Sequence, residues 1–413
     1  MTWVSQTVMG LLCDQDTIFS FQCQYNIQNI GDFFIQPPLF LIDTLLVSCY
    51  NKQKDDNRVT CMIIEGKAFD MGKTDVGILG YGLYIPDGRM TAADISNATK
   101  GVWAEEAVRE KLGVVHKPVP GPTDGTQEMG YLAAKDALER TGFDPAEIDV
   151  ILCIGEEWKE YPLTTSALYV QDKIGAVNAW GIDVANRCCT TCSAIKMAKD
   201  MLVADDELQT ILIAGGYRNG DFVDYTDKNM SMMYNLAAGG GALILKKGMD
   251  RNLVLGSHIM ADGSLCRDAG VEIGGIAKPF TPGNVEEGYR SLRLMKPEHM
   301  KNRLNEVSVA NWYHCIDESL RKSGGLTRKD IGYLAILHFK RSQHNAMVAE
   351  LGLTADQTVY LEDYGHLGQI DQILSLAVGL EQGKIQDGTV VTMIAAGIGY
   401  VWASTCVRWG GTK

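Results

Sequence analysis

The sequence predicts an α/β protein made of two similar halves, and three observations predict it. From Val76 onward, short apolar runs of strand length alternate with segments whose apolar residues recur at helical spacing. The helical segments stop at glycines, first Gly142 and later the pair Gly324-Gly325. The order of elements around residues 126–214 then recurs around residues 307–397.

Val76-Gly-Ile-Leu-Gly reads as the first strand. Thr126 to Thr141 reads as an amphipathic helix with Met129, Leu132, Ala133 and Leu138 on one side. Ile148-Asp-Val-Ile-Leu-Cys-Ile is a buried strand, and a helix follows through Ala167 to Ile174. A further strand approaches Cys188, a helix runs to about Val203, and Thr210-Ile-Leu-Ile-Ala is the next strand. In the second copy, Val307 to Ser323 reads as a helix. Asp330-Ile-Gly-Tyr-Leu-Ala-Ile-Leu parallels Glu147-Ile-Asp-Val-Ile-Leu-Cys-Ile, and Val390-Val-Thr-Met-Ile-Ala-Ala-Gly parallels Thr210-Ile-Leu-Ile-Ala-Gly-Gly. Alternation within each copy predicts mainly parallel, buried sheets. Two such halves packed face to face place a site where their loops meet.

Residues 1–72 read differently. They hold four of the 11 cysteines and sustain neither periodicity. They are either an extension used in assembly or the product of a start codon assigned too far upstream, since Met71 stands just before the first convincing strand. The expected organisation is therefore an extension over 1–72, a first half over 73–250 and a second half over 251–413.

With 46% hydrophobic and 22% charged residues, the composition is that of a soluble globular chain. The net charge is −13 and no basic run appears, which argues against a nucleic-acid partner. The acidity leaves room for a local basic patch that holds a phosphorylated cofactor. The cysteines have no framework spacing, so free thiols in the cytoplasm are expected. The most apolar early stretch, Pro38 to Tyr50, contains Asp43 and is too short to cross a bilayer. No basic segment of a secretory signal precedes it.

The chemistry concentrates at Cys188. Ile195, Ala198, Met201 and Leu202 recur at helical spacing after it, which puts Cys188 near a helix entrance. A helix N-terminus stabilises a thiolate, and a thiolate accepts an acyl group from a thioester. Two other readings stand beside this one. Cys189-Thr-Thr-Cys192 is a CxxC pair that suits redox or metal chemistry, although no further ligands at metal spacing are evident. Three small buried core cysteines would also fit.

Ala194-Ile-Lys-Met-Ala-Lys-Asp-Met-Leu resembles, without a gap, the helix that follows the nucleophile of HMG-CoA synthase, and the wider segment is similar to β-ketoacyl-ACP synthase III. The resemblance covers about residues 75–411. It implies a thiolase-like αβαβα fold that dimerises through its first half, alone or within a larger acyltransferase complex, with Cys188 as nucleophile. Arg187 departs from the small residue usual before the cysteine. His338 ends the strand Leu334-Ala-Ile-Leu, where the families place a histidine that polarises the thioester carbonyl. His366, in Tyr364-Gly-His-Leu-Gly, replaces their asparagine. Together with Cys188 and His338 it resembles the Cys-His-His set of elongating ketoacyl synthases. Glu156, with Glu157 as its neighbour, holds the place of the HMG-CoA synthase acid/base. Gly239-Gly-Gly fits the family's turn before a strand. The loop Ala396-Gly-Ile-Gly-Tyr-Val-Trp is similar to the family's C-terminal glycine loop, so the N–H groups of Ile398 and Cys188 would form the oxyanion hole.

The resemblance implies an acyltransferase that takes an acyl group from a CoA or acyl-carrier-protein thioester onto Cys188 and passes it on by Claisen-type condensation. It implies neither a permanently bound cofactor nor a metal. An HMG-CoA-synthase-like aldol condensation, or a catalytically silent subunit of an acyltransferase assembly, remains open beside it. His366 weighs toward the ketoacyl-synthase chemistry. On that basis His366→Ala is expected to stop condensation and spare acylation of Cys188.

Overall fold

The computed structural model describes residues 75–155 and 158–411, with the backbone of four short strands before them. The chain divides into two units, Met1–Gly72 and Lys73–Lys413. In the first, strands Gln22–Cys23, Phe40–Ile42, Leu45–Cys49 and Val59–Ile63 pair antiparallel, with Phe40 opposite Val47 and Cys49 opposite Cys61. The other expectations for residues 1–72 fall outside the described residues.

The second unit is built on nine strands: β1 (Val76–Tyr84), β2 (Val150–Cys153), β3 (Trp180–Asp183), β4 (Thr210–Tyr217), β5 (Gly239–Lys247), β6 (Arg251–Ala261), β7 (Tyr333–Ile336), β8 (Val390–Gly397) and β9 (Val401–Gly411). Their spatial order is β7-β8-β9-β6-β1-β5-β4-β2-β3. The centre is narrow, since β6 and β1 meet only where Leu253 faces Gly77. Outward from β1 run β5, β4, β2 and β3, and outward from β6 run β9, β8 and β7. The third pair out from the centre is parallel in each arm, with Ile211 opposite Val150 and Tyr333 opposite Val391, and β3 adds one more parallel strand at the edge of the first arm. Apart from the edge strand β3, each arm repeats the other, as the recurring sequence order predicted.

The expectation of mainly parallel sheets is corrected. Only β2–β3, β2–β4 and β7–β8 are parallel, and the inner pairs are antiparallel. The reason lies in the connections. β8 returns into β9 through the short segment 398–400, and β4 reaches β5 without a crossover helix, and such links reverse strand direction.

Six helices cover these arms: α1 (Thr126–Thr141), α2 (Ser166–Ile174), α3 (Thr190–Ala204), α4 (Pro297–Arg321), α5 (Arg341–Glu350) and α6 (Asp371–Glu381). α1 packs on β1, β4 and β5, and α4 packs on β6 and β9. α3 and α6 each touch strands of both arms, so they form the middle of five layers. A helix buried between two sheets must be apolar nearly all round, and α6 is buried from Asp371 through Gly379. α1 stops where expected, at Gly142 with φ 65°.

Two local expectations change. α4 begins at Pro297 rather than Val307. Its first turns continue the apolar repeat upstream, with Met300, Leu304 and Val307 on the core side, while Pro297, Lys301 and Asn305 line a cavity. The Gly239-Gly-Gly run is not a turn but the start of β5. A Cβ on Gly240 would stand 2.1 Å from the Met129 carbonyl, so glycine is what lets α1 lie against the sheet.

Candidate active site

Cys188 belongs to a single 3-10 turn, Arg187–Cys189, placed just before α3 starts at Thr190. Arg187 holds φ 52°, a left-handed conformation that turns the chain sharply between strand β3 and the helix. The Thr190 hydroxyl fixes this turn. It accepts from the Asn186 N–H at 2.9 Å and donates to the Arg187 carbonyl at 2.6 Å. The three cysteines then separate. Cys189 and Cys192 face the core, where burial pushes the Cys189 thiol well above its usual range and the Cys192 thiol up to about 12. Cys188 is half-buried and reaches a cavity of about 1220 Å³.

His366 meets it from the second half of the chain. Its main chain is pinned beside Leu236, with His366 N–H donating to the Asn235 carbonyl and Ala237 N–H donating to the His366 carbonyl, both at 2.9 Å. The ring lies with Nε2 3.2 Å from Cys188 Sγ and Nδ1 2.6 Å from Asp371 Oδ2. Asp371 is the first residue of α6 and is fully buried. Its carboxylate also accepts the Leu367 N–H and the His338 N–H, each at 2.7 Å. Burial opposes a charged His366 ring, but Asp371 and Cys188 outweigh it and raise the imidazole well above its ordinary value. The result is a thiol, an imidazole and a carboxylate in line.

His338 follows β7 and lines the same cavity, yet its ring does not turn a free nitrogen to Cys188. Nε2 donates to the Gly113 carbonyl at 3.0 Å, and Nδ1 accepts from Asn235 Nδ2 at 2.9 Å. Burial pulls this imidazole down to about 4, so it is neutral near physiological pH. Ile398 also lines the cavity, and the glycine loop approaches the nucleophile closely. A Cβ on Gly397 would stand 3.0 Å from the Cys188 nitrogen. Glu156 and Glu157 lie outside the described residues.

Sequence reasoning missed three residues here. Asp371 left a trace, a carboxylate opening a helix with no other charge before Glu381, five residues after His366. Asn235 left none. Lys117 is buried and gives its ammonium hydrogens to Tyr225 Oη and the Tyr234 carbonyl, both at 2.7 Å, and to the Leu236 carbonyl at 2.5 Å. It thereby clamps the main chain on both sides of Asn235. Among the described residues no cluster of three His, Cys, Asp or Glu side chains suits a metal ion, and no helix is long and apolar enough to cross a membrane.

Comparison with known proteins matches residues 182–263 to the family model of 3-oxoacyl-[acyl-carrier-protein] synthase III, and residues 320–409 to the C-terminal model of the same synthase. The β-ketoacyl-[acyl-carrier-protein] synthase III of Syntrophomonas wolfei is 26% identical over 336 residues, 81% of this chain and 98% of that one. The protein of the same name from Xanthomonas campestris is 27% identical over 337 residues, 80% of this chain and 98% of that one. The crystal structure of the Thermus thermophilus synthase III superposes with a TM-score of 0.70 at 22% identity, covering 81% of this chain and all of that one. The fold is the thiolase-like α/β fold of these synthases.

Proposed function

From a chain that carries both synthase III family domains on the thiolase-like fold, we propose an acyltransferase that loads an acyl group from a CoA or acyl-carrier-protein thioester onto Cys188. The acyl group then passes to an acceptor, with Claisen-type carbon–carbon condensation as the reaction in keeping with the relatives' names. The observation that carries the reading is the contact of Cys188 Sγ with a His366 ring held by buried Asp371. The thiolate attacks the thioester carbonyl, and the imidazolium returns a proton to the departing thiol. The N–H groups of Cys188 and Ile398 receive the oxyanion. His338 acts by fixing Asp371 through its main-chain N–H, and its tethered ring shapes the wall opposite. Glu156 stands in this reading as a second acid/base.

The experiment is intact mass spectrometry after incubation with acetyl-, butyryl-, octanoyl- and palmitoyl-CoA, followed by peptide mapping. The reading requires an added acyl mass on Cys188, and a mass on Cys189 or Cys192, or none, ends it.

The same reading includes a cytoplasmic homodimer. Among the described residues β3 has a neighbour on one side only, and its Trp180 and Ile182 are 48% and 38% exposed. An edge strand with large apolar side chains in solvent favours pairing with a second copy. Light scattering should give twice the 45.2 kDa chain mass, and Trp180→Asp should return it to one chain.

A further inference from the structure

Two hydrogen-bonding facts about the site bear on which acceptor it can use. An enolate acceptor, formed by decarboxylation, needs donors on its developing oxygen. Neither imidazole offers one in the neutral state. The Nδ1–H of His366 goes to Asp371, which leaves a lone pair on the Nε2 that faces the sulfur. The Nε2–H of His338 goes to Gly113, and its Nδ1 is an acceptor already engaged by Asn235. With both rings neutral, the carbon route leans on the main-chain N–H groups alone. A hydroxyl acceptor has the opposite need, a base for its proton and an acceptor for any further O–H. The second need has a candidate as well. Asn235 lines the same cavity, is 4% exposed, and its Oδ1 has no donor among the described residues.

We propose that the Cys188 acyl-enzyme also passes its acyl group to a hydroxyl acceptor and so makes an oxygen ester, with His366 as the base. This rests on Cys188 carrying the acyl group. In the loading step the Cys188 thiolate attacks the thioester carbon, the carbon–sulfur bond to the donor breaks, and the donor thiol leaves with the His366 proton. The donor thiol carries the proton away, and acylation removes the Cys188 share of what raises His366, leaving burial to oppose Asp371 alone, so the ring is easier to deprotonate and its neutral form turns a lone pair toward the acyl group. The hydroxyl proton then moves to His366 Nε2, the new carbon–oxygen bond forms, and the bond from the acyl carbon to Cys188 Sγ breaks. This restores the thiolate–imidazolium pair, and no oxidant or reductant enters. Asn235 Oδ1 receives a second hydroxyl of a polyol acceptor, while the apolar wall of Phe222, Met232, Leu292 and Leu294 faces hydrocarbon.

The test uses the full chain preloaded with whichever acyl-CoA leaves its mass on Cys188, then desalted. It is challenged separately with n-butanol, glycerol, malonyl-CoA and buffer. Loss of acyl mass is followed with the ester product, read by gas chromatography–mass spectrometry. The proposal expects ester from n-butanol or glycerol, discharge at least about tenfold faster than in buffer, and about a hundredfold loss of that rate in His366→Asn. In the wild type, ester formation should rise with pH as His366 loses its proton, a readout that does not depend on the variant. The proposal is overturned if acyl-Cys188 is discharged by malonyl-CoA while neither alcohol gives ester, or if ester formation is flat with pH. If no acyl-CoA labels Cys188, the parent reading fails and takes this one with it.

Discussion

Replacing Asp371 with asparagine keeps the size of a fully buried side chain and removes its charge. The carboxylate accepts three hydrogen bonds, from His366 Nδ1 at 2.6 Å and from the main-chain N–H groups of His338 and Leu367 at 2.7 Å each. An amide cannot accept all three. With its NH2 toward a main-chain N–H, donor faces donor, a buried conflict of about 1–3 kcal/mol. With its NH2 toward His366, it donates to Nδ1 and moves the ring proton to Nε2, so no lone pair faces Cys188. The analogous Asp-to-Asn change in a serine-protease triad lowers turnover by about ten-thousand-fold through the wrong tautomer, so a loss of about a thousand-fold or more is expected here.

The pH dependence of stability follows from the same contacts. Against the opposing effect of burial, Asp371 and Cys188 raise His366 above its ordinary value. Its protonated form therefore stabilises the wild type fully below about pH 6.5, and this contribution is lost as pH rises through the raised value. Asp371→Asn should consequently be more destabilising at about pH 6 than at about pH 9. Rapid-quench mass spectrometry of Cys188 acylation, with thermal melts at both pH values, measures both effects. Acylation within about tenfold of wild type by a folded Asp371→Asn variant would show that Asp371 does not set the His366 tautomer.

Other outcomes follow from the same geometry. Limited alkylation with iodoacetamide should modify Cys188 and exposed Cys266 long before Cys189 or Cys192, whose thiols burial holds protonated, and early labelling of either would contradict the placement of the turn. Lys117→Met should lower the urea midpoint, since the Tyr234 and Leu236 carbonyls each lose a donor worth about 1–3 kcal/mol, and an unchanged midpoint would remove the clamp from the account. His366→Ala should now slow loading of Cys188 as well as acyl transfer, because the ring touches the sulfur, and unimpaired loading would favour the earlier expectation. A chain beginning at Met71 should keep a cooperative melt if residues 1–72 are a dispensable extension, and an insoluble product would make them structural.

Much of the fold is written locally. The Gly142 stop, the apolar runs of β2 and β4 and their echoes in β7 and β8 depend on residues within one turn or one strand of each other. Local signals of this kind survive in one dimension, so the repeat and the cysteine turn were legible. Strand direction was not, because it depends on how the chain returns after β4 and β8 rather than on the strands' own apolar content.

The site was legible in its residue types and opaque in its wiring. Cys188 and His366 are separated by 178 positions, and His338 and Gly113 by 225, so neither contact leaves a periodic trace. The sequence offered two histidines of equal standing. Tertiary packing made one of them the partner of Cys188 and tied both nitrogens of the other, because each buried ring must satisfy its polar atoms with whatever the opposing half presents. Asp371 decided the matter, since one carboxylate at the mouth of a buried helix takes the ring of His366 and only the main chain of His338.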